Sequence, residues 1–105
     1  MTRVLAVDVG TSADKGALAV DGEVVAAAAA GHPLHSPRPG WAEQHADDWW
    51  AATVAAAAIV RGVASSFDGV DAVAVTGQMQ DLVCIGGNGS TVRPAILYSL
   101  SLIHI

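Results

Sequence analysis

The chain has 105 residues, enough for one small domain, and 52% are hydrophobic while 14% are charged. This composition suits a buried α/β core and excludes a disordered protein. The net charge is −5 with only five Lys and Arg residues, which excludes nucleic-acid binding through a basic patch. Because alanine and valine dominate the apolar residues, each side chain buries little area, and we expect marginal stability for the chain alone.

The expected cellular location depends on the cysteine content, the N-terminal segment and the longest apolar stretch. Cys84 is the single cysteine and lies in an apolar run, so we expect a buried, unreactive thiol. No signal peptide precedes the first strand pattern. The longest low-charge stretch, 49–60, is shorter than the roughly 20 residues of a membrane span. We therefore expect a cytoplasmic protein with no membrane partner.

The first thirty residues predict three short strands. They are valine- and alanine-rich runs bounded by glycine or turn residues. The predicted strands cover residues 3–9, 16–20 and 23–30. Asp21-Gly22 predicts a two-residue hairpin turn, since both positions favour positive φ. This turn and the pair Val24-Val25 favour a strand over a helix for the alanines that follow.

A loop and a helix come next. Residues 31–40 contain three prolines and have a glycine at each end, so they predict a loop. A helix is predicted over 47–64, because Asp47 and Asp48 suit the positive end of a helix dipole. Most of its circumference is apolar or small, so we expect close packing on a sheet.

The last third of the chain predicts mostly extended structure. A buried strand over 71–76, a short strand over 82–85, a turn over 86–89 and an extended segment over 91–98 follow each other. The order is strand, strand, strand, helix, strand, with further strands after it. No second domain boundary is present.

The segment from Asp8 to Lys15 carries the chemistry. An acidic residue closes the first strand, Gly10 permits a tight turn, and the hydroxyls of Thr11 and Ser12 precede the sole lysine. Backbone N–H groups, hydroxyls and a cation suit a phosphate tail, and a carboxylate suits Mg²⁺. An ordinary hairpin with a polar turn explains the same residues. Neither a Walker loop nor a dinucleotide-binding fingerprint is present.

This segment, D-V-G-T-S-x-x-K, resembles the first phosphate motif of the actin-like ATPase fold, in the version of FGGY carbohydrate kinases and especially their xylulokinase branch. Three further segments resemble that family in the same order. They are P-G-W-A-E-Q with D-D-W-W at 39–50, T-G-Q-M-Q at 76–80 and R-P-A-I-L-Y at 93–98. The resemblance covers residues 3–99.

The resemblance implies the N-terminal part of an α/β, actin-like (ribonuclease H-like) domain with a mixed sheet. It implies an ATP- and Mg²⁺-dependent kinase that phosphorylates a hydroxyl of a ketose or polyol, xylulose-like. Residues 1–99 would be a partial domain and 100–105 a divergent, non-native tail, because Leu100 and Leu102 replace a family Asp and Arg. The general base would lie downstream, so we expect no catalytic residue and no activity in this chain. A homodimer is one expectation for a full-length parent.

The resemblance also implies roles for individual residues. Asp8 would hold Mg²⁺ through water. The ATP phosphates would contact Gly10, Thr11, Ser12 and Lys15. The sugar would lie near Gln78, Met79, Gln80 and Asp81. Gln80 stands where xylulokinases have His and Asp81 where they often have Gly, which points to a more acidic pocket and a different substrate.

Simpler roles stay open for several of these residues. Met79 fills cores more often than it contacts ligands. Trp41 could stack on a sugar or pack against a helix end, and Glu43 with Gln44 could form a hydrogen-bond network at the start of the helix. The histidines near the proline loop lack a metal-ligand spacing and are expected to be solvated; they are His32, His35 and His45. An actin-like ATPase of another branch and a non-catalytic binding domain remain alternative functions.

Overall fold

A computed structural model describes residues 1–63, 69–78 and 81–97 and shows a four-stranded mixed sheet with one helix on one face. The elements are β1 Arg3–Val9, β2 Ala13–Val20, β3 Glu23–Gly31, β4 Glu43–Gln44, α1 Ala46–Val63, β5 Ala72–Gly77 and β6 Ala95–Ile96. The predicted order of three strands, helix and strand is confirmed, with the two-residue strand β4 added before the helix. The predictions for Ala64, Met79, Gln80, Tyr98 and the 100–105 tail lie outside the described residues.

The sheet has the strand order β3-β2-β1-β5. β1, β2 and β3 form an antiparallel meander, and β5 pairs with β1 in parallel after the chain crosses over through α1. Asp21 and Gly22 have φ angles of 50° and 83°, which confirms the predicted turn with positive φ at both central positions. The carboxyl ends of β1 and β5 therefore lie side by side.

The core lies between α1 and the strands β2 and β3. Leu18 and Val60 are 0% exposed and form its centre. Small residues allow the helix to approach closely: a Cβ placed on Gly16 would meet the Ala56 Cβ at 3.6 Å. Ala56 and Val60 are buried on one face of α1, whereas Trp50 is 70% exposed. The alanine-rich sequence thus lets the helix pack at a short distance from the sheet.

Strand β2 begins three residues earlier than predicted, at Ala13 rather than Gly16. Asp14 pairs with Val9, and Lys15 pairs with Asp8, in the ladder with β1. The polar sequence hid this part of the strand, because alternation places Asp14 on the helix side and Lys15 on the open side.

Strand β5 is found where a buried strand was predicted, but it is not buried. All of its residues are exposed, including Val75 at 66%. The prediction of burial is wrong because α1 packs on β2 and β3 and leaves both faces of β5 uncovered within the described chain. The strand spans Ala72–Gly77, one residue later at each end than the predicted 71–76.

The 82–97 region contains less strand than predicted. Residues 82–85 form no strand, only single bridges from Leu82 to Ile96 and from Ile85 to Thr91. Within the extended segment only β6 is a strand, and it pairs with β4. The turn over 86–89 is confirmed by the bond from the Gly89 amide to the Gly86 carbonyl, 3.0 Å. Cys84, expected to be buried, is half-buried.

Candidate functional site

The turn that joins β1 to β2, residues 10–12, is the β1–β2 loop. The Gly10 amide donates to the Ala13 carbonyl over 3.0 Å and closes the turn. A Cβ on Gly10 would lie 2.6 Å from that carbonyl oxygen, which is closer than real side chains approach. The predicted tight turn is therefore confirmed, and the cause is this close approach of two backbone segments.

Asp8 and Lys15 lie directly opposite each other in the ladder, with their side chains on the open face of the sheet. Both line one cavity of about 540 Å³, together with Thr76 and alanines of the neighbouring strands. The Thr76 hydroxyl donates to Asp8 Oδ1 over 2.8 Å and orients that carboxylate. Lys15 is exposed and forms no ion pair within the described chain. The cavity thus has an oriented anion and an uncompensated cation at the same end.

The carbonyl groups of the β1–β2 loop are all held by residues packed beside it. The Gly10 carbonyl accepts from His32 Nε2 at 2.9 Å and from Gln78 Nε2 at 3.1 Å. The Thr11 carbonyl accepts from Gln44 Nε2, and the Ser12 carbonyl accepts from the His32 amide at 3.1 Å. The Thr11 and Ser12 amides donate to no acceptor among residues 1–63, 69–78 and 81–97. Two exposed residues with free amides and hydroxyls can bind an anion.

Two glutamines connect this loop to the start of α1. Gln44 is 0% exposed, and its Oε1 accepts from Trp49 Nε1 at 2.7 Å and from Gln78 Nε2 at 3.0 Å. The hydrogen-bond network expected for Gln44 at the start of the helix therefore exists and extends to the loop. Gln78 uses its amide nitrogen for both Gly10 and Gln44, which leaves only its oxygen for a ligand.

A second cavity, of about 700 Å³, opens beside the carboxyl ends of β1 and β5. Its lining includes Trp49, Thr76, Gln78, Asp81 and Val83. Thr76 lines both cavities, so the two are adjacent. Of the four residues predicted on the sugar side, Gln78 and Asp81 lie here, and Met79 and Gln80 lie outside the described residues.

Other polar residues near the proline loop have structural partners. Glu43 forms an ion pair with Arg93, which joins the short sheet of β4 and β6 to the loop before β6. The Arg38 guanidinium lies 5.1 Å from the centre of the Trp41 ring, so that ring has a cation partner. His35 and His45 are exposed as expected, with ring centres 5.2 Å apart.

His32 contradicts the expectation of a solvated side chain, because its side chain is 1% exposed. It lies beside Asp14, which is 0% exposed and accepts from the Thr53 hydroxyl at 2.7 Å. Sequence analysis missed this buried cluster. The alternation of Asp14, Gly16 and Leu18 on one face of β2 was the available signal, since it places a carboxylate among core residues.

A magnesium site built from protein side chains alone is absent from the described part of the chain, where no group of three or more potential ligands occurs. Asp8 offers one exposed carboxylate with only Oδ1 engaged by Thr76. This donor set fits Mg²⁺ that keeps most of its water and is also held by phosphates. The described chain contains no helix with the length and apolarity of a membrane span.

Comparison with known proteins gives consistent results. Residues 3–101 match the N-terminal domain of the FGGY family of carbohydrate kinases. The chain is 35% identical over 96 residues to xylulose kinase from Escherichia coli K12, covering 90% of this chain and 20% of that protein. The crystal structure of xylulose kinase from Rhodospirillum rubrum superimposes with a TM-score of 0.85 at 31% identity, over 90% of this chain and 20% of that one.

A gluconate kinase structure from Lactobacillus acidophilus also superimposes, with a TM-score of 0.80 at 25% identity over 90% of this chain and 19% of the other. The chain spans about a fifth of the length of these relatives. The expected α/β, actin-like fold with a mixed sheet is confirmed by these neighbours and by the strand order. The chain belongs to the FGGY family of carbohydrate kinases and is similar to an N-terminal fragment of its members.

Proposed function

We propose that this chain supplies the phosphate-binding loop and part of the sugar pocket of an ATP-dependent kinase that phosphorylates a hydroxyl of a ketose or polyol. The observation that carries the proposal is the shared cavity of Asp8 and Lys15 at the end of the β1–β2 ladder. The free amides of Thr11 and Ser12 lie in the turn next to this pair.

The phosphate contacts follow from charge and donor positions. Lys15 and the backbone amides of Thr11 and Ser12 would bind the phosphate oxygens of ATP. The hydroxyls of Thr11 and Ser12 would be further donors. Asp8 would hold Mg²⁺ through water, since a carboxylate in direct contact with phosphate would be repelled. Bound Mg²⁺ would neutralise charge on the phosphates during transfer. Thr76 would keep the Asp8 carboxylate oriented toward the same cavity.

The sugar would occupy the second cavity, next to the phosphate site at Thr76. Asp81 lines this cavity and can accept hydrogen bonds from sugar hydroxyls. Gln78 orients the turn and offers its oxygen. Met79 and Gln80 are assigned to the sugar side by the family resemblance. The xylulose and gluconate kinases among the relatives support a sugar or sugar acid as the substrate class.

We further propose that these 105 residues alone do not turn over substrate. Phosphoryl transfer requires a positioned base and groups on both sides of the γ-phosphate. We place the general base, an aspartate, outside this sequence, in the four fifths of the relatives' length that it does not span. A coupled ATP-consumption assay with a panel of ketoses and polyols should show no sugar-dependent turnover, and a measurable rate would contradict this statement.

The binding proposal is tested by titrating the ¹⁵N-labelled chain with Mg²⁺-ATP. We expect shifts for residues 10–15 and, in Lys15→Gln, an affinity weaker by roughly tenfold, the effect of losing one charge-assisted contact. Arg38→Gln is the matched control, because it removes one positive charge at an exposed site over Trp41. If residues 10–15 do not respond at saturating nucleotide, the loop is an ordinary hairpin and the chain is a non-catalytic binding domain. Another branch of actin-like ATPases is disfavoured by the family match.

A further inference from the structure

The buried cluster beside the β1–β2 loop contains His32, Asp14 and Thr53. The side chains of His32 and Asp14 are 1% and 0% exposed. His32 lies directly after β3, and Thr53 lies on α1, so the cluster joins the sheet, the helix and the loop. No phosphate or sugar role assigned above uses these three side chains.

His32 holds the loop at two points. Its backbone amide donates to the Ser12 carbonyl at 3.1 Å, and its Nε2 lies 2.9 Å from the Gly10 carbonyl. The two carbonyls flank Thr11. Since a peptide plane carries its N–H opposite its C=O, holding these carbonyls also sets the direction of the following amides, those of Thr11 and Ala13.

The geometry requires that Nε2 carries the proton. Its partner Gly10 offers only a carbonyl oxygen, and Asp14 Oδ1 lies 3.1 Å from the same nitrogen without the alignment of a hydrogen bond. A carbonyl and a carboxylate can only accept, so an unprotonated Nε2 would face two acceptor oxygens with no proton between them, which is repulsive. The Asp14 carboxylate accepts a hydrogen bond from the Thr53 hydroxyl at 2.7 Å. Its negative charge attracts the hydrogen of the Nε2–H group. Nδ1 is buried and has no hydrogen-bond partner within residues 1–63, 69–78 and 81–97.

We propose that His32, supported by Asp14 and Thr53, is a positioning residue for phosphate binding. Its ring fixes the Gly10 carbonyl so that the Thr11 amide of the same peptide plane stays directed at the bound anion. The expected effect of His32 on nucleotide affinity rests on the proposed function. Its structural part, a loop held by an Nε2–H donor, is independent of any nucleotide.

Two substitutions separate this role from simple packing. His32→Gln places an amide nitrogen at the position of Nε2 and keeps the donor, while the lost Nδ1 had no partner among the residues that the structure describes. His32→Leu keeps an apolar side chain of comparable bulk and removes the donor. His35→Leu is the matched control, since His35 is exposed and its ring contacts His45, with no hydrogen bond from that ring to the loop in the described chain. Circular dichroism first establishes that each variant is folded.

Nucleotide-free NMR spectra of the whole chain provide the first readout. We expect a protonated Nε2 with a coupling across the hydrogen bond to the Gly10 carbonyl. We also expect faster exchange, in His32→Leu only, of the Gly10 amide, which closes the loop through its bond to the Ala13 carbonyl. An unprotonated Nε2, or equal exchange in His32→Leu and wild type, would overturn the proposal. This wild-type measurement decides the matter even if His32→Leu does not fold.

Titration with Mg²⁺-ATP provides the second readout. Losing one neutral hydrogen bond should weaken binding by about 2- to 10-fold in His32→Leu, while His32→Gln and His35→Leu stay within about twofold of wild type. Equal weakening in the Gln and Leu variants would show that packing, not the donor, matters, and would overturn the positioning role. If no variant responds to nucleotide, the proposed function fails, and the nucleotide-free spectra still test the loop.

Discussion

Replacing Gly10 with alanine tests the physical basis of the β1–β2 loop. The new Cβ would lie 2.6 Å from the Ala13 carbonyl oxygen, so the backbone must move to restore normal contact. Overpacking of this kind costs about 1–3 kcal/mol, and weakening the 3.0 Å bond between the Gly10 amide and that oxygen adds about 1 kcal/mol. For a domain of this size the sum of about 2–4 kcal/mol lowers Tm by roughly 10–30 °C.

Urea and thermal unfolding followed by circular dichroism measure this effect. Gly62→Ala is the matched control, because Gly62 lies in α1 and an added Cβ there meets nothing within 4 Å. Alanine should stabilise that helix by up to about 1 kcal/mol, so the same substitution has opposite signs at the two sites. A Gly10→Ala variant as stable as wild type would refute the argument from close approach.

Two further changes probe the buried cluster and the uncovered strand. Thr53→Val removes the donor to the buried Asp14 carboxylate and should cost about 1–3 kcal/mol in urea unfolding, while Thr53→Ser keeps the hydroxyl and should cost clearly less; equal losses would show that the bond is unimportant. Val75→Lys, at a site 66% exposed on β5, should reduce self-association in sedimentation velocity runs and change stability by no more than about 0.5 kcal/mol. Unchanged association would mean that the chain does not self-associate through β5.

The elements that sequence predicted well are those with local causes. The Asp21-Gly22 turn follows from the φ angles that these two residues accept, and the helix bounds, Ala46–Val63 against the predicted 47–64, follow from charge at its start. The prediction failed for β2 at its first residues, because a polar strand end looks like loop. It also failed for 82–85, since apolar residues there form isolated bridges instead of a ladder.

The candidate site shows the same division. Asp8, Gly10 and Lys15 were predicted because their types and spacing suit phosphate chemistry, and the structure brings them to one end of the sheet. The role of Gln78 in orienting the loop required its position next to Gln44, which is 34 residues away in sequence. Contacts over such separations carry no periodic or compositional signal.

By itself, the sequence determined the family, the order of the main elements and the turn at which phosphate chemistry was expected, because short motifs and local backbone preferences encode them. Only the tertiary structure decided that His32 is buried and that β5 is uncovered. Burial depends on which elements pack together: α1 covers β2 and β3, encloses Asp14 beside His32, and leaves Val75 exposed. Which elements pack together depends on the whole tertiary structure and cannot be inferred from any single segment of the chain.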